Sequence, residues 1–353
     1  MVDIRLCQDE GLCASRKAHM VEKVVFVDGQ PGCGKTLFSF LVSAYDRVEK
    51  LTYSTEIEQL CELYYLKRIN FDAVVTMVRL ITDKITYDTM MSREVNCRPS
   101  DLSAIFRDAN TFRYIKRFFL KGDMAVPARI KAERPILSLT VHRLLCIAKP
   151  ILEALNERAV FIEIVRHPLY MIIQQTLNNE ILTNNVRDFD IYFERNQKEY
   201  PWYTAGWEEV FDSAKPVEKT IYYIKKIGEM TEKSKAELVA IYNAKIVTIP
   251  FEKFVIEPCQ YLKQIEDAIE SKITKKTLKM LKKQNVPRSK ISDGIPLAIY
   301  KRCGWEPPQK GLNEKQELRM RRQFAIEQGA GSKAMQILDR ISHEYEKKYL
   351  FLN

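Results

Sequence analysis

The chain has 353 residues, of which 46% are hydrophobic and 10% aromatic, with only 12 Gly and 14 Pro. That composition excludes disordered, collagen-like and low-complexity classes, and the length allows one large α/β domain or two ordinary ones. Fifty-six basic against 46 acidic residues leave a net charge of +10, which favours phosphorylated or polyanionic ligands.

The longest apolar runs, 24–27 and 159–165, are strand-sized and far short of the ~20 residues of a membrane helix. The first twenty residues interleave Asp3, Arg5, Asp9, Glu10, Arg16 and Lys17 and hold no export signal. Eight cysteines, at 7, 13, 33, 61, 97, 146, 259 and 303, form no C-x-x-C pair and read as reduced thiols. A soluble, cytoplasmic protein is expected.

In chain order, Lys23–Asp28 is a β-branched strand, followed by a glycine loop and an apolar helix from Lys35. A second strand is expected at Glu49–Ser54, then a helix from Thr55, with Thr55 and Glu58 at capping-box spacing. Residues 72–84 and 100–120 also read as helical, the latter from Ser100 behind Pro99, so about 56–130 is a helical insertion. Strands return at Ile136–Val141, Ala159–Val165 and Lys245–Pro250 with helices between them, the pattern of a parallel sheet with helices on its faces. From about 258 to 353 the chain is helical and charged, ending in an amphipathic helix from Ser332 to Tyr349. No internal repeat or Gly/Ser-rich linker divides it, so one α/β domain over 1–353 is expected, a P-loop NTPase-like three-layer αβα fold.

Gly29-Gln30-Pro31-Gly32-Cys33-Gly34-Lys35-Thr36 is a complete phosphate-loop pattern between a strand and a helix. Its glycines let backbone N–H groups turn onto phosphate oxygens, the helix N-terminus adds positive potential, and Lys35 supplies a point charge. A nucleotide hydrolase or kinase would also need an Asp ending a second apolar strand to hold magnesium. The best such strand carries Glu163 inside it and runs into Arg166-His167-Pro168 instead, where a cation repels magnesium and favours a second phosphate.

With these residues the sequence resembles the sulfotransferases that use 3′-phosphoadenosine 5′-phosphosulfate (PAPS). In that family the phosphate loop binds the 5′-phosphosulfate and an Arg-x-Pro segment after a later strand supplies the Arg for the 3′-phosphate, a role the resemblance gives to Arg166. The family's catalytic His stands at a strand end about two dozen residues ahead of that Arg. His142, 24 residues before Arg166, holds that place. The strand Val247–Pro250 with Phe251-Glu252 and Pro258 is similar to the family's strand, aromatic-acidic pair and helix-starting Pro. The resemblance covers roughly residues 23–260 and implies a PAPS-dependent sulfotransferase without a metal, acting on a hydroxyl such as that of a carbohydrate.

Three departures stand out. Gln174 occupies the place of the family's Ser eight residues after the Arg, with Thr176 as a substitute. The full G-x4-G-K-T loop resembles nucleotide hydrolases, which keeps a P-loop kinase or NTPase using ATP or GTP with magnesium as the alternative. The family's Arg-Lys-Gly segment has no literal match, and Arg288-Ser289-Lys290 is a loose one. Some carbohydrate sulfotransferases place a Glu just after the second strand, so the resemblance makes Glu56 and Glu58 rivals of His142 as the base, with first-turn helix capping as the other role open to each. Residues 272–290 hold eight cations and no acid, which is either a solvated face or an attraction for anions. Nucleic acid is not expected, since no aromatics interleave the cations. The segment Tyr200–Trp207, with two of the three Trp, either packs down or offers stacking faces to an acceptor. A nucleotide-binding module without turnover is the third reading.

Overall fold

The computed structural model describes residues 11–183, 185–295, 304, 306 and 311–350. In chain order, β1 (Lys23–Asp28) leads through the loop to α1 (Lys35–Val42), β2 (Thr52–Tyr53), α2 (Thr55–Tyr65) and α3 (Phe71–Met90). Then follow α4 (Thr111–Arg117), α5 (Ala125–Glu133), β3 (Ile136–Thr140), α6 (Lys149–Leu155), β4 (Ala159–Val165) and α7 (Pro168–Leu182). A hairpin of β5 (Tyr192–Arg195) and β6 (Lys198–Pro201) precedes α8 (Glu208–Ser213), α9 (Pro216–Tyr242) and β7 (Lys245–Pro250). The remainder is helical: α10 (Phe251–Ile256), α11 (Cys259–Ile269), α12 (Lys275–Lys283), α13 (Glu314–Glu327) and α14 (Ser332–Tyr345).

The main sheet is parallel in the order β2-β3-β1-β4-β7. Its central strands are apolar on both faces because helices cover both, and Phe26 of β1 stacks on Phe161 of β4 at 4.9 Å between ring centroids. This is the α/β architecture expected. The chain leaves β1 toward β2 and β3 on one side and returns to β4 on the other, so a crevice opens where β1 ends. The phosphate loop, His142 after β3 and Arg166 after β4 all follow from those three strand ends.

Three expected elements differ. The strand expected at Glu49–Ser54 shrinks to Thr52–Tyr53, because the buried Glu49 carboxylate accepts from Arg117 at 2.7 and 2.9 Å and from the Tyr114 hydroxyl at 2.9 Å. The helix expected over 100–120 is a single 3₁₀ turn at Ile105–Arg107 and then α4. Asp108 accepts the Asn110 N–H at 2.6 Å and Thr111 Oγ1 donates to the Ile105 carbonyl at 2.7 Å, local bonds that compete with a continuous helix. At the far end, α14 stops at Tyr345 and a wider turn, Glu346–Leu350, finishes the segment expected as helix to Tyr349. Among the described residues no helix is long and apolar enough to cross a membrane.

Burial pushes the Glu49 carboxyl up, but Arg117, Arg113 and Tyr114 together hold it below the usual range. A group lowered on folding contributes stability above its unfolded value and loses it as pH falls through the folded one. The chain should therefore melt at lower temperature as pH drops below about 4.5, the ordinary carboxylate range. Melting curves of Glu49→Gln should show a smaller part of that decline.

Candidate active site

The loop after β1 is shaped by close approach. Gly29 has φ +146°, and a Cβ there would lie 2.4 Å from the Ile164 carbonyl oxygen. Gly34, at φ +96°, would press a Cβ to 2.3 Å from the Phe251 ring. Only glycine satisfies either position. Two helices hold the loop from outside, with Gln175 Nε2 donating to the Pro31 carbonyl at 2.6 Å and Gln30 Nε2 to the Ile224 carbonyl at 3.1 Å. Lys35 donates its ammonium to the Gly29 and Gln30 carbonyls at 2.7 and 3.2 Å. Helix α1 starts at this point with no side-chain cap and no acid in its first turn, which leaves its amide end suited to an anion.

Next to the loop stands a second cationic cluster. Arg166 donates through Nη1 to the Gly32 carbonyl at 3.0 Å, and its guanidinium lies 4.3 Å from the Phe251 ring centroid and 5.1 Å from that of Tyr170. Arg288 reaches the same Phe251 ring at 5.5 Å, while Arg321 stands 5.0 Å from Tyr170. Arg321 is neutralised by Glu317 at 2.8 Å. Arg166 meets Glu252 at only 4.0 Å, and its buried Nε has no hydrogen-bond partner. Burial, then the charge of Arg166, lowers the Arg288 guanidinium to about 10. Two crowded guanidiniums with unused donor capacity form a site that an anion would relieve. Of the other expected contacts, Gln174 turns its amide oxygen toward Gly32, Thr176 is buried and donates to its own helix at Ile172, and Lys290 is exposed on a turn.

Across the loop, Glu58 joins His142. Oε1 of Glu58 accepts the His142 backbone N–H at 2.7 Å and faces Nδ1 at 3.2 Å. A carboxyl oxygen already accepting one N–H accepts Nδ1–H as well, which leaves the Nε2 lone pair available. The ring is stacked on Tyr53, 11° from parallel. Burial, with Lys35 and Arg143 next, lowers His142 to about 3, although 40% of its side chain is open to solvent, so the lowered direction rests most firmly on the two neighbouring cations. Burial raises Glu58 to about 8 against the opposing pull of Arg143 and the His142 N–H. The capping box expected between Thr55 and Glu58 is absent, since Ser54 precedes the helix and the Glu58 carboxyl turns to His142 instead. Glu56 remains at the helix start, 3.4 Å from the Ser54 hydroxyl.

Several contributors escaped the sequence reading. Arg143, in left-handed backbone at φ +49°, is paired with Asp190 and lies among Trp202, Tyr203 and Tyr223 at 5.3–5.9 Å from their ring centroids. The aromatic segment thus packs down: Trp202 is fully buried, Tyr200 and Tyr203 are buried, and Trp207 is half-buried. A cavity of about 570 Å3, roomy enough for a nucleotide, opens beside the loop and is lined by Gly29, Arg166, Ile224, Gly228 and Tyr345 among others. Tyr345 of α14 donates to Glu252 at 2.5 Å, and Glu252 accepts the His167 N–H at 3.1 Å, which fixes the corner that carries Arg166. Tyr345→Phe should lower stability by about 1.5–3 kcal/mol in denaturant melts, the scale of one buried hydrogen bond to a charged group.

No protein-family model matches the sequence, and no curated protein is similar to it in sequence. Among solved structures the chain is similar to a sulfotransferase of Mycobacterium avium, at 14% identity and TM-score 0.42, over 95% of this chain and 78% of that one. It is also similar to the sulfotransferase domain of the Synechococcus olefin synthase, at 12% identity and TM-score 0.41, over 89% and 98% of the two chains. A third is the sulfotransferase domain from the curacin biosynthetic pathway, at 10% identity and TM-score 0.42, over 87% and 98%.

Proposed function

We propose that this chain is a sulfotransferase that moves a sulfuryl group from PAPS to an acceptor hydroxyl. The observation that carries the reading is the pair Arg166 and Arg288 sharing Phe251 beside the phosphate loop. PAPS has two separate anionic ends, and this site offers two anion-binding regions at neighbouring strand ends. The loop amides and Lys35 take the 5′-phosphosulfate, and Arg166 and Arg288 take the 3′-phosphate.

In the transfer, the acceptor oxygen forms a bond to sulfur while the bond from sulfur to the bridging phosphate oxygen breaks. His142 Nε2 receives the hydroxyl proton, and the Lys35 ammonium exchanges its loop carbonyls for the departing oxygen. An imidazole held near 3 is a weak base. The donor's anionic groups offset the Lys35 charge that helps depress it, and ionisation of Glu58 raises its basicity further. The carbohydrate class of acceptor rests on the family resemblance alone.

The kinase reading needs a carboxylate at the end of a strand beside β1 to hold magnesium. The two neighbours lead into His142 and Arg166, and Glu163 within β4 is bound by Lys235 and Thr248 at 2.6 Å each. The discriminating experiment follows PAP release from PAPS in the presence of pooled phenolic and sugar hydroxyls. We expect turnover that EDTA leaves intact, with no magnesium-dependent release of phosphate from ATP or GTP. ATP turnover with magnesium and none with PAPS would replace this reading with the kinase one.

A further inference from the structure

The basic stretch at 272–290 is not spent on the candidate site, apart from Arg288. Helix α12 buries Thr277, Met280 and Leu281 and exposes Lys275, Lys276, Lys279, Lys282 and Lys283. It packs directly on the helical insertion: Met280 shares a small core with Leu102 and Ala109, and Lys276 Nζ donates to Asn110 Oδ1 at 2.6 Å. Asn110 is the residue from which α4 starts.

Helix α4 has its own inner and outer sides. Tyr114 and Arg117 point in toward Glu49, while Phe112, Lys116 and Phe119 recur at the spacing of the opposite face. Phe112 is 83% exposed, Phe119 86% and Met124 85%, while Phe106 and Phe118 are about half exposed. Phe112, Phe119 and Met124 are almost wholly solvated, and with the half-exposed Phe106 and Phe118 they place five large apolar side chains at the surface within residues 106–124. Cations accompany them: Lys116, Lys121 and Lys131 are exposed and form no ion pair among the described residues. The nearby acids are engaged, Asp123 by the Tyr87 hydroxyl at 3.0 Å and Glu133 by Arg117 at 3.0 Å. The turn that bears Phe118 to Met124 is fixed underneath by Arg129, which donates to the carbonyls of Met90 and Lys121.

We propose that α4, the turn after it and the lysine face of α12 form a docking surface for an anionic lipid bilayer. Protruding aromatic and Met side chains insert at the headgroup boundary, and the surrounding lysines match the negative surface. The charge complementarity and the projection of single side chains favour a bilayer over a protein partner, whose interface would keep a packed apolar centre with few lysines.

The test is co-sedimentation of the full chain with phosphatidylcholine vesicles, with and without phosphatidylserine at about one lipid in three. Binding is expected only to the anionic vesicles, weakening as salt rises. Phe112→Ser with Phe119→Ser, and separately Lys279→Glu with Lys282→Glu, should each reduce binding by about tenfold or more. Thermal melts of both variants should match the parent, since these side chains are exposed. Equal binding to neutral vesicles, no binding to either, or loss in the lysine variant with none in the phenylalanine variant would overturn the proposal. A chain that ignores vesicles but binds a protein through these residues would overturn it as well.

Discussion

Arg166→Ala should weaken the binding of PAP, the desulfated donor, by roughly 1.5–3 kcal/mol, about ten- to a hundredfold, and leave ADP almost unaffected. Lys35→Ala should weaken both ligands on the same scale. The difference follows from which phosphate each cation meets. On the proposed reading the loop around Lys35 receives the 5′-phosphates common to the two nucleotides; the ammonium's partners there are the Gly29 and Gln30 carbonyls. Arg166 stands outside the loop with Arg288, and only PAP carries a 3′-phosphate to reach them. Titration calorimetry on the two variants with the two ligands gives four values. An equal loss for PAP and ADP in Arg166→Ala would make this residue a brace for the Gly32 carbonyl, which it also contacts at 3.0 Å.

His142→Ala should lower single-turnover transfer by about 10²–10⁴-fold while PAP affinity stays nearly constant, because the base touches the acceptor proton and not the nucleotide. Glu58→Gln distinguishes the partners. Glutamine keeps an oxygen that accepts from the backbone N–H and from Nδ1, so the ring remains oriented and the loss should be small near neutrality. The carboxyl of Glu58, raised to about 8 by burial, is protonated below that value and ionised above it. The parent rate should therefore climb as pH rises through about 8, and Glu58→Gln should lose that climb. A collapse of activity in Glu58→Gln at neutral pH would transfer the role of base to the carboxylate. Full turnover in a well-folded His142→Ala protein would remove it from the ring.

Sequence reasoning reached the sheet more fully than the site. β1, β4 and β7 are strands rich in β-branched and other apolar residues, bounded by turn or charged residues, and their limits are those expected. β2 was overestimated because Glu49 leaves the sheet for Arg117, a partner 68 residues away that no periodicity reports. The helix at 100–120 was overestimated because the Asp108 and Thr111 side chains bond nearby backbone, at Asn110 and Ile105. The phosphate loop was legible as a local pattern of glycines between a strand and a helix. The meeting of Arg166, Phe251 and Arg288 was not, since three segments far apart in the chain must fold before one ring lies under two guanidiniums. Glu58 and His142 were each visible as a candidate base, but their hydrogen bond spans 84 residues. Arg143 was passed over because an Arg beside a candidate base gives no sign that three aromatic rings will surround it.

The central claim is that the site recognises a nucleotide with anions at both its 5′ and 3′ positions and does so without a metal. The direct measurement is calorimetric titration of the parent protein with PAP and with ADP, both in EDTA. PAP should bind at least about tenfold more tightly than ADP, the difference expected of one charge-assisted contact to the 3′-phosphate. Equal affinities, or binding of either nucleotide that appears only when magnesium is added, would contradict it.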